Sequence, residues 1–213
     1  MPLPAASVAC PTLEVRDHVE RDFARHHIVR LPGLLRGDLL GRVLDGIGAA
    51  TFREHLIAAT NRREQIMEQD ATSALLLLLT SDPALSELVG ALTATERPAA
   101  MVGRVYRMVP GAGHVGDWHT DVIDGRVAAL SINLSPEPFE GGETTVRDSA
   151  TKEPLGTGGA AHLVPGDAVL LRIRPGIEHR VSEVTGHAAK TSYVCFFRDG
   201  APSLLGTVPA AAV

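Results

Sequence analysis

The sequence predicts an α+β protein in which a double-stranded β-helix, the antiparallel jelly roll, packs against N-terminal helices. Three observations predict it. From Leu34 to about Thr95 apolar residues recur at the three-and-four spacing of amphipathic helices. After Arg97-Pro98 the pattern changes to alternation in short segments. Between those segments stand Pro110-Gly111, Asp124-Gly125, Gly141-Gly142, Pro165-Gly166 and Pro175-Gly176, turn signals that fold a sheet back on itself.

Taken in order, Leu39, Leu40, Val43, Leu44 and Ile47 mark the first amphipathic helix. Phe52 to Gln69, rich in helix formers and charge, reads as a second. A third begins near Thr72 and runs through the Leu75–Leu79 cluster, whose apolar run implies burial. Ser81-Asp82-Pro83 ends it and caps a fourth, Pro83 to Ala94. Met101, Gly103, Val105 and Arg107 then alternate with Val102, Arg104, Tyr106 and Met108, which predicts a strand. Further strands are expected at Val127–Leu134, Thr144–Arg147, Ala161–Val164, Ala168–Ile173, His179–Val184 and Thr191–Phe197. The chain is therefore divided into a helical support segment (1–98), a catalytic core (99–200) and a tail (201–213), the first two forming one domain.

Composition bounds the function. The 213 residues are 45% hydrophobic and 21% charged, which excludes global disorder. A net charge of -5 argues against a nucleic-acid partner. No window holds the roughly 18 uncharged apolar residues of a membrane span, so no membrane partner is expected. Cys10 and Cys195 form no C-x-x-C pair and no disulfide framework. The stretch Ser7-Val8-Ala9-Cys10 resembles a lipoprotein cleavage site but has neither a basic n-region nor an apolar h-region before it, so a cytoplasmic, reducing setting is expected.

Nine histidines invite a search for metal spacing. Only His119 is followed two positions on by an aspartate, in Trp118-His119-Thr120-Asp121. By chance alone such a pair is unremarkable, yet residues i and i+2 of an extended segment point to one side. A third ligand from a neighbouring strand would complete a two-His-one-carboxylate site with three open positions. His179, just after the Pro175-Gly176 turn, is the candidate. Lys190 opens the last strand with Ser192 on the same face. A cation deep in a barrel needs an anion, and a dicarboxylate cosubstrate would supply it.

These motifs occur in a recognisable order: Val109-Pro110-Gly111, His119-x-Asp121, Ser131-Ile132-Asn133-Leu134, Glu140-Gly141-Gly142-Glu143-Thr144, Val164-Pro165-Gly166-Asp167-Ala168-Val169-Leu170, His179 and Lys190. From Met101 to Arg198 the chain resembles the iron(II)/2-oxoglutarate-dependent dioxygenases, specifically the prolyl-4-hydroxylase-like subgroup. The resemblance implies that His119, Asp121 and His179 bind Fe(II). It implies that Lys190 pairs with the distal carboxylate of 2-oxoglutarate, with Ser192 as a second donor. Relatives place a cosubstrate-holding Tyr where this chain has Met108; Tyr106, one pleat earlier, is the residue available for that role. Since related halogenases lack the carboxylate, Asp121 implies hydroxylation, with desaturation or ring formation open to the same centre. The expected reaction consumes O2 and 2-oxoglutarate and yields succinate and CO2, with ascorbate a further cofactor to consider. The substrate is a small molecule, amino acid or peptidyl side chain, and the oligomeric state is left open.

Two other function classes compete: a cupin-like metalloenzyme using Mn or Zn without 2-oxoglutarate, and a non-catalytic jelly-roll binding module. Among the other residues, Arg172 and Arg174 are expected to face solvent, and Arg198 lies too far along its strand to anchor the cosubstrate. His114, His162 and His187 are expected in loops or at the surface, His114 near enough to line the entrance. Trp118 is assigned to packing and Asn133 to a hydrogen bond across the barrel. Thr144 could face the cosubstrate. Gly141 and Gly142 are assigned to a tight turn.

Overall fold

Helices form where apolar spacing and capping residues agree. The computed structural model describes residues 13–57, 62–96, 98–158 and 163–200. Helix α1 (Leu13–His26) leads into strand β1 (Ile28–Leu31), helix α2 (Gly37–Ala49), strands β2 (Phe52–Ile57) and β3 (Arg62–Met67), and helices α3 (Ala71–Thr80) and α4 (Pro83–Thr93). Asp70 caps α3 by accepting from the backbone N–H of Thr72 and Ser73. Asp82 caps α4 through Ala84, with Pro83 in the first turn where no amide hydrogen is needed. No single helix among the described residues is long and apolar enough to cross a membrane.

The strands that follow are β4 (Ala99–Ala100), β5 (Arg104–Met108), β6 (Gly116–His119), β7 (Arg126–Asn133), β8 (Glu140–Gly141), β9 (Thr144–Asp148) and β10 (Pro154–Thr157). After them come β11 (Ala168–Arg172), β12 (Ile177–Val181), β13 (Val184–Thr185) and β14 (Lys190–Arg198). An eight-stranded sheet runs β1-β11-β7-β14-β5-β3-β2, with β4 paired to β14; a four-stranded sheet runs β10-β9-β12-β6, and β13 pairs with β8. The two larger sheets face one another as a jelly roll, and the helices cover the outer face of the larger one.

That outer face holds the main core. Val105, Leu130, Ile132, Tyr193 and Phe197 of the sheet pack with Phe23, Val43, Leu76, Leu85 and Val89 of the helices. Between the sheets, Ile28, Val146, Val169, Leu171 and Ile177 close one end of the barrel. Asp167 ties the N-terminal segment to the barrel. Its buried carboxylate accepts from Gly33 N (2.7 Å), Val164 N (3.2 Å) and the Arg30 guanidinium.

Several expectations need correcting. Phe52 to Gln69 is no helix: β2 and β3 form an antiparallel pair, and β3 continues the large sheet beside β5. Charged helix formers misled here because tertiary pairing overrides propensity. Ile66 and Met67 are buried, while Gln65 donates to Glu54 across the strands at 2.9 Å. The strand expected from Met101 is split. Ala100 pairs with Phe197 and Met108 with Lys190, and between them the chain passes over the Tyr193 ring, where a Cβ on Gly103 would lie 2.4 Å from the ring. Leu163 and Val164 lie in no strand, and the segment expected at His179–Val184 divides into β12 and β13. Arg172 does not face solvent: it stacks 4.7 Å over Phe23 and donates to Leu92 O at 2.5 Å. Leu78 is 58% exposed although Leu76 and Leu79 are buried, so the leucine run is two-faced. Cys10, His162 and the 201–213 tail lie outside the described residues.

Candidate functional site

Strands β6 and β12 pair antiparallel with His119 directly opposite His179. Paired residues point to the same face, so both imidazoles enter the barrel, their centroids 4.3 Å apart. Asp121 follows two residues after His119 and turns back between them. Its Oδ2 lies 3.4 Å from Nε2 of His179 and 3.9 Å from Nε2 of His119. One ligand atom from each residue falls within 4.8 Å of the others. The Nδ1–H of His119 donates to the Asp117 carbonyl at 2.6 Å, which leaves Nε2 its lone pair. Two imidazole nitrogens and one carboxylate oxygen, converging with one imidazole already oriented, fit a non-haem divalent iron.

Burial acts most strongly on Asp121 and opposes its charge. The hydrogen bond and charge of His179, with the charges of His119 and Arg126, outweigh it and hold the carboxyl below its ordinary range. Arg126 Nη1 is 3.8 Å from Oδ1 of Asp121, and the guanidinium lies 3.9 Å over the Phe196 ring.

The cluster opens on a narrow pocket between the two sheets, with a cavity volume of about 70 Å³. Strand register explains its walls. Lys190 pairs with Met108, Ser192 with Tyr106 and Val194 with Ser131, so these side chains share the inner face of the large sheet. Thr144 pairs with Val181 on the inner face of the small sheet. All six residues singled out from the sequence, His119, Asp121, His179, Lys190, Ser192 and Tyr106, line this one pocket, and Thr144 joins them.

Lys190 is buried at the start of β14, and its Nζ donates to the Gly142 carbonyl at 2.5 Å. Gly142 has φ +62, and a Cβ there would lie 2.7 Å from Cδ of Lys190. The Gly-Gly turn thus does more than reverse the chain: it makes room for the lysine stem. Asn133 binds Leu163 O and Ser135 N and does not line the pocket. Trp118 is held by packing, with Arg147 3.8 Å over its ring. His187 is exposed, but His114 is buried, accepting from Val109 N through Nδ1 and bonding Glu54 through Nε2.

Two charged groups, one lining the pocket and one beside Asp121, escaped the sequence. Glu64 is 3% exposed and lines the cavity. Its position was hidden by reading β3 as helix; the alternation of Glu64 and Ile66 with Gln65 was the signal available. Arg126 carried no spacing that set it apart from the other basic residues.

No protein-family model and no curated protein matches this sequence. Solved structures do. An oxidoreductase of the 2OG-Fe(II) oxygenase family from Burkholderia pseudomallei gives a TM-score of 0.68 at 17% identity, covering 92% of this chain and 98% of its own. A prolyl hydroxylase from Trichoplax adhaerens, in complex with a hypoxia inducible factor peptide fragment, gives 0.62 at 15% identity, covering 87% and 90%. The epimerase SnoN, in complex with Fe3+, alpha ketoglutarate and nogalamycin RO, gives 0.61 at 14% identity, covering 94% and 92%. At these identities the likeness is one of fold: this chain has the jelly roll of the 2OG-Fe(II) oxygenases, prolyl hydroxylases among them.

Proposed function

We propose that the protein is an Fe(II)- and 2-oxoglutarate-dependent oxygenase that hydroxylates an unactivated C–H bond. The observation that carries this reading is the meeting of His119, Asp121 and His179 with Lys190 in one pocket between the sheets. His119, Asp121 and His179 would hold the iron. When bound, iron and 2-oxoglutarate supply oxidative decarboxylation, in which O2, 2-oxoglutarate and R–H become succinate, CO2 and R–OH. The chain's own residues do the rest. Lys190 offers an ammonium to the distal carboxylate, and the Ser192 hydroxyl and Tyr106 phenol lie one pleat along as donors. Val169, Leu171, Val194 and Phe196 exclude water from the cavity floor. Arg126 steadies the Asp121 oxygen turned away from His179.

The fold neighbours were solved with a peptide in one case and nogalamycin RO in another. We assign this chain a small-molecule or aminoacyl substrate, with the residue division 1–98, 99–200 and 201–213 marking support, core and tail. A cytoplasmic setting accords with the buried free thiol of Cys195.

The test is succinate release by iron-loaded protein over a substrate panel. Expected are strict dependence on iron, 2-oxoglutarate and O2, and loss of activity in His119→Ala. Metal binding without any affinity for 2-oxoglutarate would favour the cupin-like alternative and overturn this reading.

A further inference from the structure

Gly116 opens strand β6, yet its backbone does not call for glycine. Gly111 and Gly113, a few residues earlier, hold φ of +73 and +68, whereas the φ of Gly116 lies outside that left-handed region. Nor is the position crowded. A Cβ built there would find Val181 nearest, at 3.6 Å from its Cβ and backbone N and 3.9 Å from its Cγ2, which is ordinary van der Waals contact. Glycine in a strand costs about 0.5–1 kcal/mol relative to alanine. The grounds for that cost are a special φ, a tight contact, a bulge or the close approach of a ligand. Here the first two are absent.

Register shows where the missing side chain would point. Gly116 pairs with Val181 and His119 with His179, three steps along β6 against two along β12. The bulge that absorbs the extra residue falls on Asp117 and Trp118, not on the glycine, and it turns Gly116 and His119 to one inner face. Gly116 is buried, and it lines the pocket together with Val181, Thr144 and the metal cluster. The absent side chain therefore leaves a recess in the pocket wall beside His119, floored by strand backbone and bounded by Val181.

We propose that Gly116 is a specificity-determining residue: its recess receives a ring of the substrate, laid against the β6 backbone while the C–H to be hydroxylated faces the cluster. The inference rests on the oxygenase reading above and deepens it by naming the substrate class, a molecule with an alicyclic apolar group beside the reacting carbon. An unbranched chain is one methylene wide and leaves part of the recess empty, forfeiting the dispersion contacts of the surrounding wall. A ring fills it. In a pocket this narrow, the space of one side chain decides what is admitted.

The test uses the full chain loaded with Mn(II) and 2-oxoglutarate, which permits binding without turnover. Cyclopentanol is titrated against 1-pentanol and cyclohexanol against 1-hexanol. Proton NMR follows each probe through the line broadening that Mn(II) imposes on a molecule bound near it. The open-chain alcohols are the more hydrophobic, so a preference for the rings reads shape. At least one cyclic alcohol should half-saturate the protein at a five-fold or more lower concentration than its open-chain partner. Gly116→Val, which fills the recess, should erase that preference, and Gly116→Ala should lose part of it. Both variants should keep Mn(II) and 2-oxoglutarate affinities within two-fold of wild type. The proposal fails if neither cyclic alcohol outbinds its partner in the wild type, a comparison that needs no variant to fold. It also fails if Gly116→Val leaves the preference intact. A shift of five-fold or more in Mn(II) or 2-oxoglutarate affinity in Gly116→Ala overturns it too, by making the glycine a requirement of β6 and not of the substrate. Wild-type protein that takes up Mn(II) but no 2-oxoglutarate overturns the oxygenase reading itself, a result distinct from all of these.

Discussion

The Lys190 ammonium donates to the carbonyl of Gly142 at 2.5 Å, and the same glycine leaves room for the lysine stem. Backbone and side chain are therefore fitted to each other at the end of the pocket where a distal carboxylate would bind. Gly142→Ala adds a Cβ 2.7 Å from Cδ of Lys190 at a φ of +62 that L-residues rarely adopt. The stem must shift. Titration with 2-oxoglutarate in the presence of Mn(II) should show about ten-fold weaker binding, roughly the 1.4 kcal/mol of one misplaced charged contact. Unchanged affinity would show that Lys190 does not serve the cosubstrate.

Removing either imidazole leaves two donors for the metal. His119→Ala and His179→Ala should each lose stoichiometric Co(II) binding, followed by its visible absorption, and with it succinate release. Full-occupancy metal binding by either variant would place the metal elsewhere.

Burial pushes the Cys195 thiol from 9.0 up to about 12 and the Tyr193 phenol from 10.0 up to about 12. Both acids keep their protons in the folded state over a range where the unfolded chain releases them. Their contribution to stability is complete below pH 9 and falls as pH rises from 9 to 12. Melting temperature should decline steadily over that range, and iodoacetamide should spare Cys195 at pH 8 until denaturant is added. Rapid alkylation of the native protein at that site would contradict the burial argument.

Asp167 receives two backbone N–H groups and an arginine. Asp167→Ala strands all three, a loss expected at about 3 kcal/mol for a buried, charge-assisted network. Chemical denaturation should report it as a lower midpoint with the slope unchanged. A variant as stable as wild type would show that Arg30 is held by other contacts.

The candidate metal cluster and the lysine proposed for the cosubstrate were legible because they follow Gly/Pro turns, and turns punctuate sequence locally. His119 and Asp121 needed only the two-residue period of an extended chain to point together. Alternation with Gln65 could have given the face of Glu64 but not its place in the pocket, since that depends on β3 joining a sheet whose neighbouring strand β5 lies some forty residues on in sequence. The same holds for Arg172, whose alternation with Leu171 and Ile173 says which face it takes but not that α1 lies against that face. Local period gives the side of a strand; what covers that side is set by distant chain.

Strand β6 is four residues long, lies at the edge of the small sheet, and meets β12 through His119 and Gly116 with an irregularity between them. Few backbone hydrogen bonds secure it. A metal shared by His119 on this edge and His179 within the sheet would act as a clasp across this irregular seam. The ion that equips the pocket for chemistry would then also fix the strand alignment that created the pocket, so that loss of metal loosens the shape of the site as well as its reactivity.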